Sequence, residues 1–195
     1  MPTVIGFFGV ARAGKSTAAR LAADTLIRSG KNAVVRSFAG PIRDGLAEMG
    51  ILKDTYPTLY RKAAQLIGTE LCRDEDPDWW INQMNAAVSK LPEDTIVLID
   101  DCRFDNEFEY IKSMNGQRVF VAAGDRVDLS SPMYKHSSET IAVTYEKFWR
   151  AYDNGLTSVA LQDQDLGVDY ILPNTGDLNK LVSNIDNMFS LLKRI

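Results

Sequence analysis

The fold is decided by residues 8–17, which read Phe8-Gly9-Val10-Ala11-Arg12-Ala13-Gly14-Lys15-Ser16-Thr17. The stretch satisfies the pattern G-x-x-x-x-G-K-[ST] and stands between a β-rich apolar run, residues 3–8, and a helical pattern that begins at Lys15. Glycines allow several backbone N–H groups to approach one anionic group, and the helix adds its own N–H groups and dipole. Lys15 is therefore predicted to neutralise the β- and γ-phosphates of ATP, and the Ser16 hydroxyl to hold Mg²⁺. The alternative is a plain glycine turn.

Composition and charge argue against several classes of protein. The chain has 195 residues, 45% of them hydrophobic, which suffices for one domain over residues 1–195. The formal net charge of −4 argues against a nucleic-acid or membrane-surface partner, because such surfaces attract basic proteins. No apolar run reaches the roughly 18 residues of a membrane span, and we expect no signal peptide. Cys72 and Cys102 lack metal spacing, so a reducing, cytoplasmic location is expected.

Strand and helix patterns alternate along the chain. Apolar runs predict five strands, at residues 3–8, 33–38, 95–100, 118–122 and 169–172. A helix is predicted over residues 58–72, with four side chains directed inward, namely Leu59, Ala63, Leu66 and Ile67. The alternation predicts an α/β fold, a P-loop NTPase whose five-stranded parallel sheet carries helices on both faces. The long interval at residues 124–167, with a helix over residues 140–152, is predicted to be a lid.

A second signal lies at the end of the third predicted strand, where Asp100 and Asp101 are followed by Arg103. The carboxyl ends of parallel strands meet at one sheet edge, so these side chains should face the phosphate-binding loop. Either aspartate could orient a Mg²⁺ shell or accept a proton from the attacking oxygen. The alternative is that the acids only end the strand and cap the next helix. Arg103 could clamp a phosphate by two parallel hydrogen bonds.

The sequence resembles the bacteriophage deoxynucleoside monophosphate kinases of the P-loop NMP-kinase group. Beyond the loop, the resemblance rests on short segments whose order and spacing together are specific, at residues 38–43, 65–70, 73, 76–80, 101–107, 136–139 and 169–176. It implies Mg²⁺-dependent transfer of the ATP γ-phosphoryl group to a deoxynucleoside 5′-monophosphate (dNMP) and a strand order of 2-3-1-4-5. If the chain is phage-encoded, as the resemblance implies, the expected cytoplasmic location is the cytoplasm of the host cell.

The resemblance assigns acceptor binding to a helical insertion at about residues 39–92. Three arginines of this segment are predicted to hold the acceptor phosphate, although any one could be a solvated charge: Arg43, Arg61 and Arg73. Gln65 and Thr69 lie one helical turn apart and could read base edges. Trp79 and Trp80 cannot both face the same way on a helix, so we expect one in the core and one beside the acceptor base.

The lid carries the chain's one histidine, in the segment His136-Ser137-Ser138-Glu139. Phosphoryl transfer depends mainly on positioning and charge, so His136 and Glu139 are expected to hold the lid or contact the acceptor rather than abstract a proton. The resemblance leads us to expect an arginine at the end of strand four, where Ala123 and Gly124 stand instead. Three cations could take its place: Arg126, the one we assign, Lys135 or Arg150. The loop after the last strand is predicted to meet the ATP base or to be a plain turn.

Taken together, these signals give a complete set of predicted site residues. The predicted catalytic residues are Lys15, Asp101, Arg103 and Arg126, and the predicted Mg²⁺ ligands are Ser16, Asp100 and Asp101. The predicted ATP-binding residues are Gly9, Ala11, Arg12, Ala13, Gly14, Lys15, Ser16, Thr17, Asn174 and Thr175.

The leading hypothesis is an ATP-dependent dNMP kinase whose partners are small molecules. A kinase for another small phosphorylated metabolite, similar to phosphomevalonate kinase, and a nucleotide sensor or ATPase without an acceptor are the alternatives. The sequence leaves open which bases and sugars are accepted, and whether the chain is a monomer or a homodimer.

Overall fold

The computed structural model of the protein describes residues 1–155 and 167–192. Within these residues the strands are β1 (Thr3–Phe8), β2 (Ala33–Arg36), β3 (Ile96–Cys102), β4 (Gln117–Ala122) and β5 (Tyr170–Pro173). They form one parallel sheet in the order β2-β3-β1-β4-β5. The predicted order, 2-3-1-4-5, and the predicted α/β class are therefore confirmed.

Helices follow each of the first four strands. The α-helices are α1 (Lys15–Arg28), α2 (Gly40–Glu48), α3 (Pro57–Gln65), α4 (Cys72–Glu75), α5 (Trp79–Val88), α6 (Asp105–Ser113), α7 (Thr140–Asp153) and α8 (Leu178–Leu191). A π-helix spans Leu66–Leu71, and 3₁₀ turns span Gly124–Arg126, Pro132–Lys135 and Ser137–Glu139. In the described part of the chain, no helix is long and apolar enough to cross a membrane.

The core lies on both faces of the sheet, as parallel pairing requires. On one face, α1 and α8 pack against each other and cover Phe7 and Val119, and Ala22 and Ile185 face the same cluster. On the other face, α5, α6 and α7 contribute to a second cluster around Ile99 and Phe120. Every side chain named here is less than 2% exposed. The loops at the carboxyl edge are thus held by a scaffold that is packed from both sides.

Two strand ends differ from the prediction by two residues, whereas the other strand bounds differ by one residue at most. β3 continues through Asp101 to Cys102, because its pairing with β1 resumes at Phe8 and Cys102 after a register shift. β2 stops at Arg36 instead of residue 38. The N–H group of Phe38 donates to the Asp101 carboxylate at 2.8 Å and so leaves the ladder. The two differences have separate causes: resumed pairing with β1 extends β3, and the hydrogen bond from Phe38 to Asp101 shortens β2.

The prediction of one regular helix over residues 58–72 is also wrong in detail. It breaks into α3, a π-helix and α4, and the extra residue in the wider π turn rotates the inward face. Leu59 and Leu66, predicted to point inward, are 51% and 45% exposed. Trp80 Nε1 donates to the Gly68 carbonyl oxygen at 2.9 Å, which fixes the π turn against the core.

The contrast between buried and exposed leucines gives a direct test of the packing. Leu98 in β3 is fully buried, whereas Leu178 at the start of α8 is 57% exposed. Leu98→Ala should lower the free energy of unfolding by about 2–5 kcal/mol, because it removes buried methyl groups and leaves a cavity. Leu178→Ala should change it by less than about 0.5 kcal/mol. Urea unfolding of both variants measures the difference, and equal losses would contradict the assignment of β3 to the core.

Candidate active site

The loop between β1 and α1 depends on two glycines. Gly9 has φ of +150° and Gly14 has φ of +92°, conformations that side chains other than hydrogen disfavour. A Cβ at Gly9 would lie 2.5 Å from the Val121 carbonyl oxygen, and one at Gly14 would lie 2.3 Å from Asn174 Nδ2. Both glycines are therefore required by close packing as well as by the backbone. The first turn of α1 has no side-chain cap, so its N–H groups remain available to an anion.

Lys15 folds back over this loop. Its ammonium group donates to the carbonyl oxygens of Gly9 at 2.8 Å and Val10 at 3.0 Å, and the residue is 7% exposed. Burial lowers the pKa of Lys15 to about 8, and the nearby Arg103 lowers it as well, whereas Glu139 raises it. Anionic phosphate groups beside the ammonium would raise this pKa again, because they favour the charged form.

A buried carboxylate joins the loop to the segment predicted as the lid. Glu139 Oε2 accepts the Ala11 N–H at 2.7 Å, and Glu139 Oε1 pairs with Arg103 Nη1. Arg103 Nη1 also lies 3.4 Å from the Ser138 hydroxyl, and the Tyr134 hydroxyl donates to the Ala11 carbonyl oxygen at 3.1 Å. The structure therefore brings Arg103 and Glu139 together at the phosphate loop.

His136 stabilises the turn that presents Glu139. Its Nδ1 accepts the Ser138 N–H at 3.2 Å and lies 2.9 Å from the Ser138 hydroxyl oxygen. The imidazole thereby caps the short 3₁₀ turn at Ser137–Glu139. The predicted lid, residues 124–167, includes residues 156–166, which lie outside the described residues.

The two aspartates of β3 hold the chain that leaves β2. The Asp101 carboxylate accepts the N–H groups of Phe38 at 2.8 Å and Ala39 at 3.0 Å. Burial raises the pKa of Asp101, and Asp100 beside it raises the pKa further. Asp100 Oδ1 accepts a hydrogen bond from the Ser37 hydroxyl. These bonds orient the start of the helical insertion at about residues 39–92, a use of the acids that sequence reasoning did not foresee.

The predicted magnesium ion would be held mainly by nucleotide phosphates and would need few protein ligands. Among residues 1–155 and 167–192, no three His, Cys, Asp or Glu side chains form a group that could hold a metal. Mg²⁺ bound to phosphates keeps several waters and needs only one or two protein oxygens. Ser16, exposed in the first turn of α1 and adjacent to Lys15, can supply one. The roles of Asp100 and Asp101 as ligands stay predictions.

Arg73, predicted to bind the acceptor phosphate, is engaged elsewhere. Its guanidinium pairs with Glu107 and lies over the Phe104 ring, 4.1 Å from the ring centroid. Glu107 also accepts the N–H groups of Arg103 at 2.6 Å and Phe104 at 3.2 Å. Burial raises the pKa of Glu107 to about 7, although Arg73 acts in the opposite direction. Glu107 belongs to the 101–107 motif, but its type and spacing alone gave it no role.

The other predicted acceptor residues lie around the helical insertion. Arg43 Nη2 is 3.9 Å from Asp100 Oδ1, and Arg61 is exposed on α3. Arg43 lines a cleft of about 380 Å³ between β2, α2 and α5. Trp80 is 5% exposed and Trp79 is 40% exposed, so Trp80 is the ring in the core, and the place of Trp79 beside the acceptor base stays a prediction. Gln65 and Thr69 are half-buried and lie near the junction of α3 and the π-helix.

A second cleft, of about 400 Å³, lies on the other side of the phosphate loop. Arg126 Nη2 and Asn174 Nδ2 both donate to the Ala13 carbonyl oxygen, at 3.0 Å and 2.8 Å. Three parts of the chain line this cleft: the turn after β4, the end of α7, and the loop after β5. The lining residues are Gly124, Asp125, Arg126, Trp149, Arg150, Asp153, Asn154 and Thr175. The structure thus groups Arg126, Asn174 and Thr175 beside the loop, although their sequence separation is large.

Sequence reasoning missed Glu146, which holds the loop after β4. Its fully buried carboxylate accepts the N–H groups of Ala123 at 3.0 Å and Gly124 at 2.7 Å. Arg150 donates to Glu146 at 3.2 Å and to the Val127 carbonyl oxygen at 2.8 Å. Arg150, one of three cations considered for the transferring phosphate, is therefore part of this loop's support. A signal was present, because a glutamate stands on the buried stripe of an amphipathic helix.

Comparison with solved structures identifies the fold. A structure of the Mycobacterium tuberculosis APS kinase CysC in complex with AMPPNP and APS is 14% identical, with 98% of each chain covered and a TM-score of 0.50. The chain has the P-loop NTPase fold. A shikimate kinase from Bacteroides thetaiotaomicron is also 14% identical, with 98% of each chain covered and a TM-score of 0.48. Neither a protein-family model nor a curated protein sequence matches the chain.

The lowered pKa of Lys15 predicts that nucleotide binding takes up protons. With a pKa of about 8, roughly half of the Lys15 side chains are neutral at pH 8, and bound phosphates would protonate them. Isothermal titration of Mg-ATP in buffers of different ionisation enthalpy should show uptake of up to about half a proton at pH 8 and much less at pH 6.5. Lys15→Arg, whose charge is permanent, is the matched control and should remove this difference. Identical proton uptake at both pH values in the unaltered protein would contradict the prediction.

Proposed function

We propose that the protein is a phosphotransferase that moves the γ-phosphoryl group of Mg-ATP to a dNMP. One observation carries the proposal: the Arg103 guanidinium, from the end of β3, meets Glu139 at the Ala11 N–H of the phosphate loop. A cation on the acceptor side thereby stands next to the donor loop, where charge develops during transfer. A protein that only binds nucleotide has no evident need for this arrangement.

The proposed reaction divides the site between donor and acceptor. Lys15 and the N–H groups of the first turn of α1 hold the donor phosphates, and Arg126 with Thr175 borders the cleft for the ATP base. Ser16 would be a protein ligand of a magnesium ion, and such an ion would supply positive charge to the ATP phosphates. Arg103 faces the transferring group. Phosphoryl transfer then needs chiefly alignment of the two substrates and exclusion of water.

Exposed arginines support an acceptor that carries a phosphate. Arg43 keeps 44% of its side chain exposed beside the cleft between β2, α2 and α5, and Arg61 is exposed on α3. A guanidinium binds a phosphate through two parallel hydrogen bonds. Gln65, Thr69 and Trp79 remain the proposed contacts of the base. We propose a cytoplasmic location for this activity, and both a monomer and a homodimer are compatible with the proposal.

A coupled assay of ADP release tests the acceptor. Mg-ATP would be combined in turn with each dNMP, each ribonucleoside monophosphate, shikimate, APS, phosphomevalonate and dephospho-coenzyme A. Stimulation by one or more dNMPs is the expected result. Stimulation by phosphomevalonate alone would favour the metabolite kinase, and slow ATP turnover unaffected by any acceptor would favour a nucleotide sensor. Either of these outcomes would reject the dNMP proposal.

Two substitutions separate the donor and acceptor sides. Lys15→Ala should abolish turnover with every acceptor, because it removes the cation that faces the transferred phosphate. Arg43→Ala should raise the KM for dNMP about tenfold or more while the KM for ATP stays nearly constant, since a charged hydrogen bond contributes about 1.5–3 kcal/mol. Matched controls are Lys112→Ala on α6 and Arg28→Ala on α1, both exposed and both in the last turns of their helices. Equal changes in both KM values for Arg43→Ala would show that Arg43 does not bind the acceptor.

A further inference from the structure

The ion pair between Arg73 and Glu107 has no part in the proposed reaction. Arg73 comes from α4, within the acceptor segment, and Glu107 comes from the first turn of α6. The Arg73 side chain is 13% exposed and that of Glu107 is 2% exposed. A guanidinium so enclosed is poorly placed to receive an incoming phosphate. Its partner Glu107, by contrast, accepts a hydrogen bond from the backbone N–H of Arg103, a proposed catalytic residue.

Glu107 connects three parts of the chain, namely α4, its own helix α6, and the turn between β3 and α6. Its Oε1 pairs with Arg73, and its Oε2 accepts the N–H groups of Arg103 and Phe104. The Arg73 guanidinium also lies on the Phe104 ring, so the pair is fixed from two directions. Arg103 is thus held at both ends, by Glu107 at its backbone and by Glu139 at its guanidinium. A shift of Arg73 would move the backbone of Arg103.

Helix capping and stability do not account for this arrangement. A capping glutamate needs only the N–H groups at the helix start and is ordinarily exposed, so it requires no arginine from another segment. The raised pKa of Glu107 shows that the cost of burial exceeds the attraction of Arg73. Buried ion pairs are often no more stabilising than apolar residues of the same size. What the pair does provide is a fixed geometry between two segments.

We propose that Arg73 and Glu107 act as one positioning unit, which aligns Arg103 with the phosphate loop and couples this alignment to the acceptor segment. Arg73 is then a positioning residue, and the acceptor phosphate is bound by Arg43 and Arg61. This inference rests on the proposed phosphotransferase function. It assigns Glu107 a role that its place in the sequence motif did not reveal.

A double-mutant cycle on transfer kinetics tests the proposal. Arg73→Gln, Glu107→Gln and the double variant would be assayed with the best acceptor of the unaltered protein. Each single variant should lower kcat by up to about 100-fold, since a displacement of about 1 Å can cost that much, with little change in the KM for the acceptor. The double variant should be no slower than either single variant, because both substitutions disable the same unit.

Arg61→Gln is the matched control, because Arg61 is an exposed arginine of the same segment. It should raise the KM for the acceptor, leave kcat largely intact, and combine with Glu107→Gln multiplicatively. The opposite pattern would overturn the proposal: if Arg73→Gln raises KM, keeps kcat and multiplies with Glu107→Gln, Arg73 binds the phosphate directly. Unchanged kcat in both single variants would overturn it as well.

Two further measurements keep the result interpretable. Phe104→Leu keeps an apolar side chain but removes the ring under Arg73, so it tests the unit without burying an unpaired charge. It should lower kcat several-fold with KM unchanged. An unchanged kcat counts against the unit.

If no acceptor stimulates the unaltered protein, the proposed function fails on its own. Hydrogen exchange at the amides of Arg103 and Phe104 then tests the unit, since both should exchange faster in Arg73→Gln and in Glu107→Gln. Unchanged protection in both variants would reject it.

Discussion

Parallel pairing of β1 with β3 and β4 is the constraint on which the rest of the structure depends. Phe8, the last residue of β1, is in register with Cys102 of β3 and with Phe120 of β4. The chain segments that leave these three strands must therefore start side by side at one edge of the sheet. The phosphate loop, Arg103 and the loop at Gly124 are neighbours for this reason, although Arg103 lies 89 residues and Gly124 lies 110 residues after Gly14 of the phosphate loop.

The segments at this edge are fixed by buried carboxylates that accept backbone N–H groups. Each of four acids serves a different strand end, and together they cover β1, β2, β3 and β4: Glu139, Asp101, Glu107 and Glu146. N–H groups in irregular backbone have no ladder partner and would be costly to bury alone. A carboxylate can accept two of them at once, so it orders an irregular turn more firmly than a neutral side chain could.

The sequence predicted the α/β class, the phosphate loop and the sheet edge at which the site is expected, because these follow from local patterns and from the rules of parallel sheets. The strand order was implied by the family resemblance instead. It did not predict what Arg73, Asp101 and Arg150 contact. An arginine or aspartate in the right segment can face a ligand or another side chain, and only packing decides between them. The π turn at Leu66–Leu71 belongs to the same class, since it depends on the contact between Trp80 and the Gly68 carbonyl oxygen.

A site proposed to bind anionic substrates should not, at first sight, be surrounded by acidic side chains. The structure resolves this conflict by pairing three of the four with arginines, namely Arg103 with Glu139, Arg73 with Glu107 and Arg150 with Glu146. Each pair has little net charge, so the acids can order the backbone without repelling a phosphate. The pKa of Lys15 is consistent with this balance, because Arg103 lowers that pKa more than Glu139 raises it. With the acids balanced in this way, the loop would keep its positive potential for the proposed nucleotide. Arg73 and Arg150 only support the edge, whereas Arg103, with 35% of its side chain exposed, both supports the edge and faces the proposed transferring group.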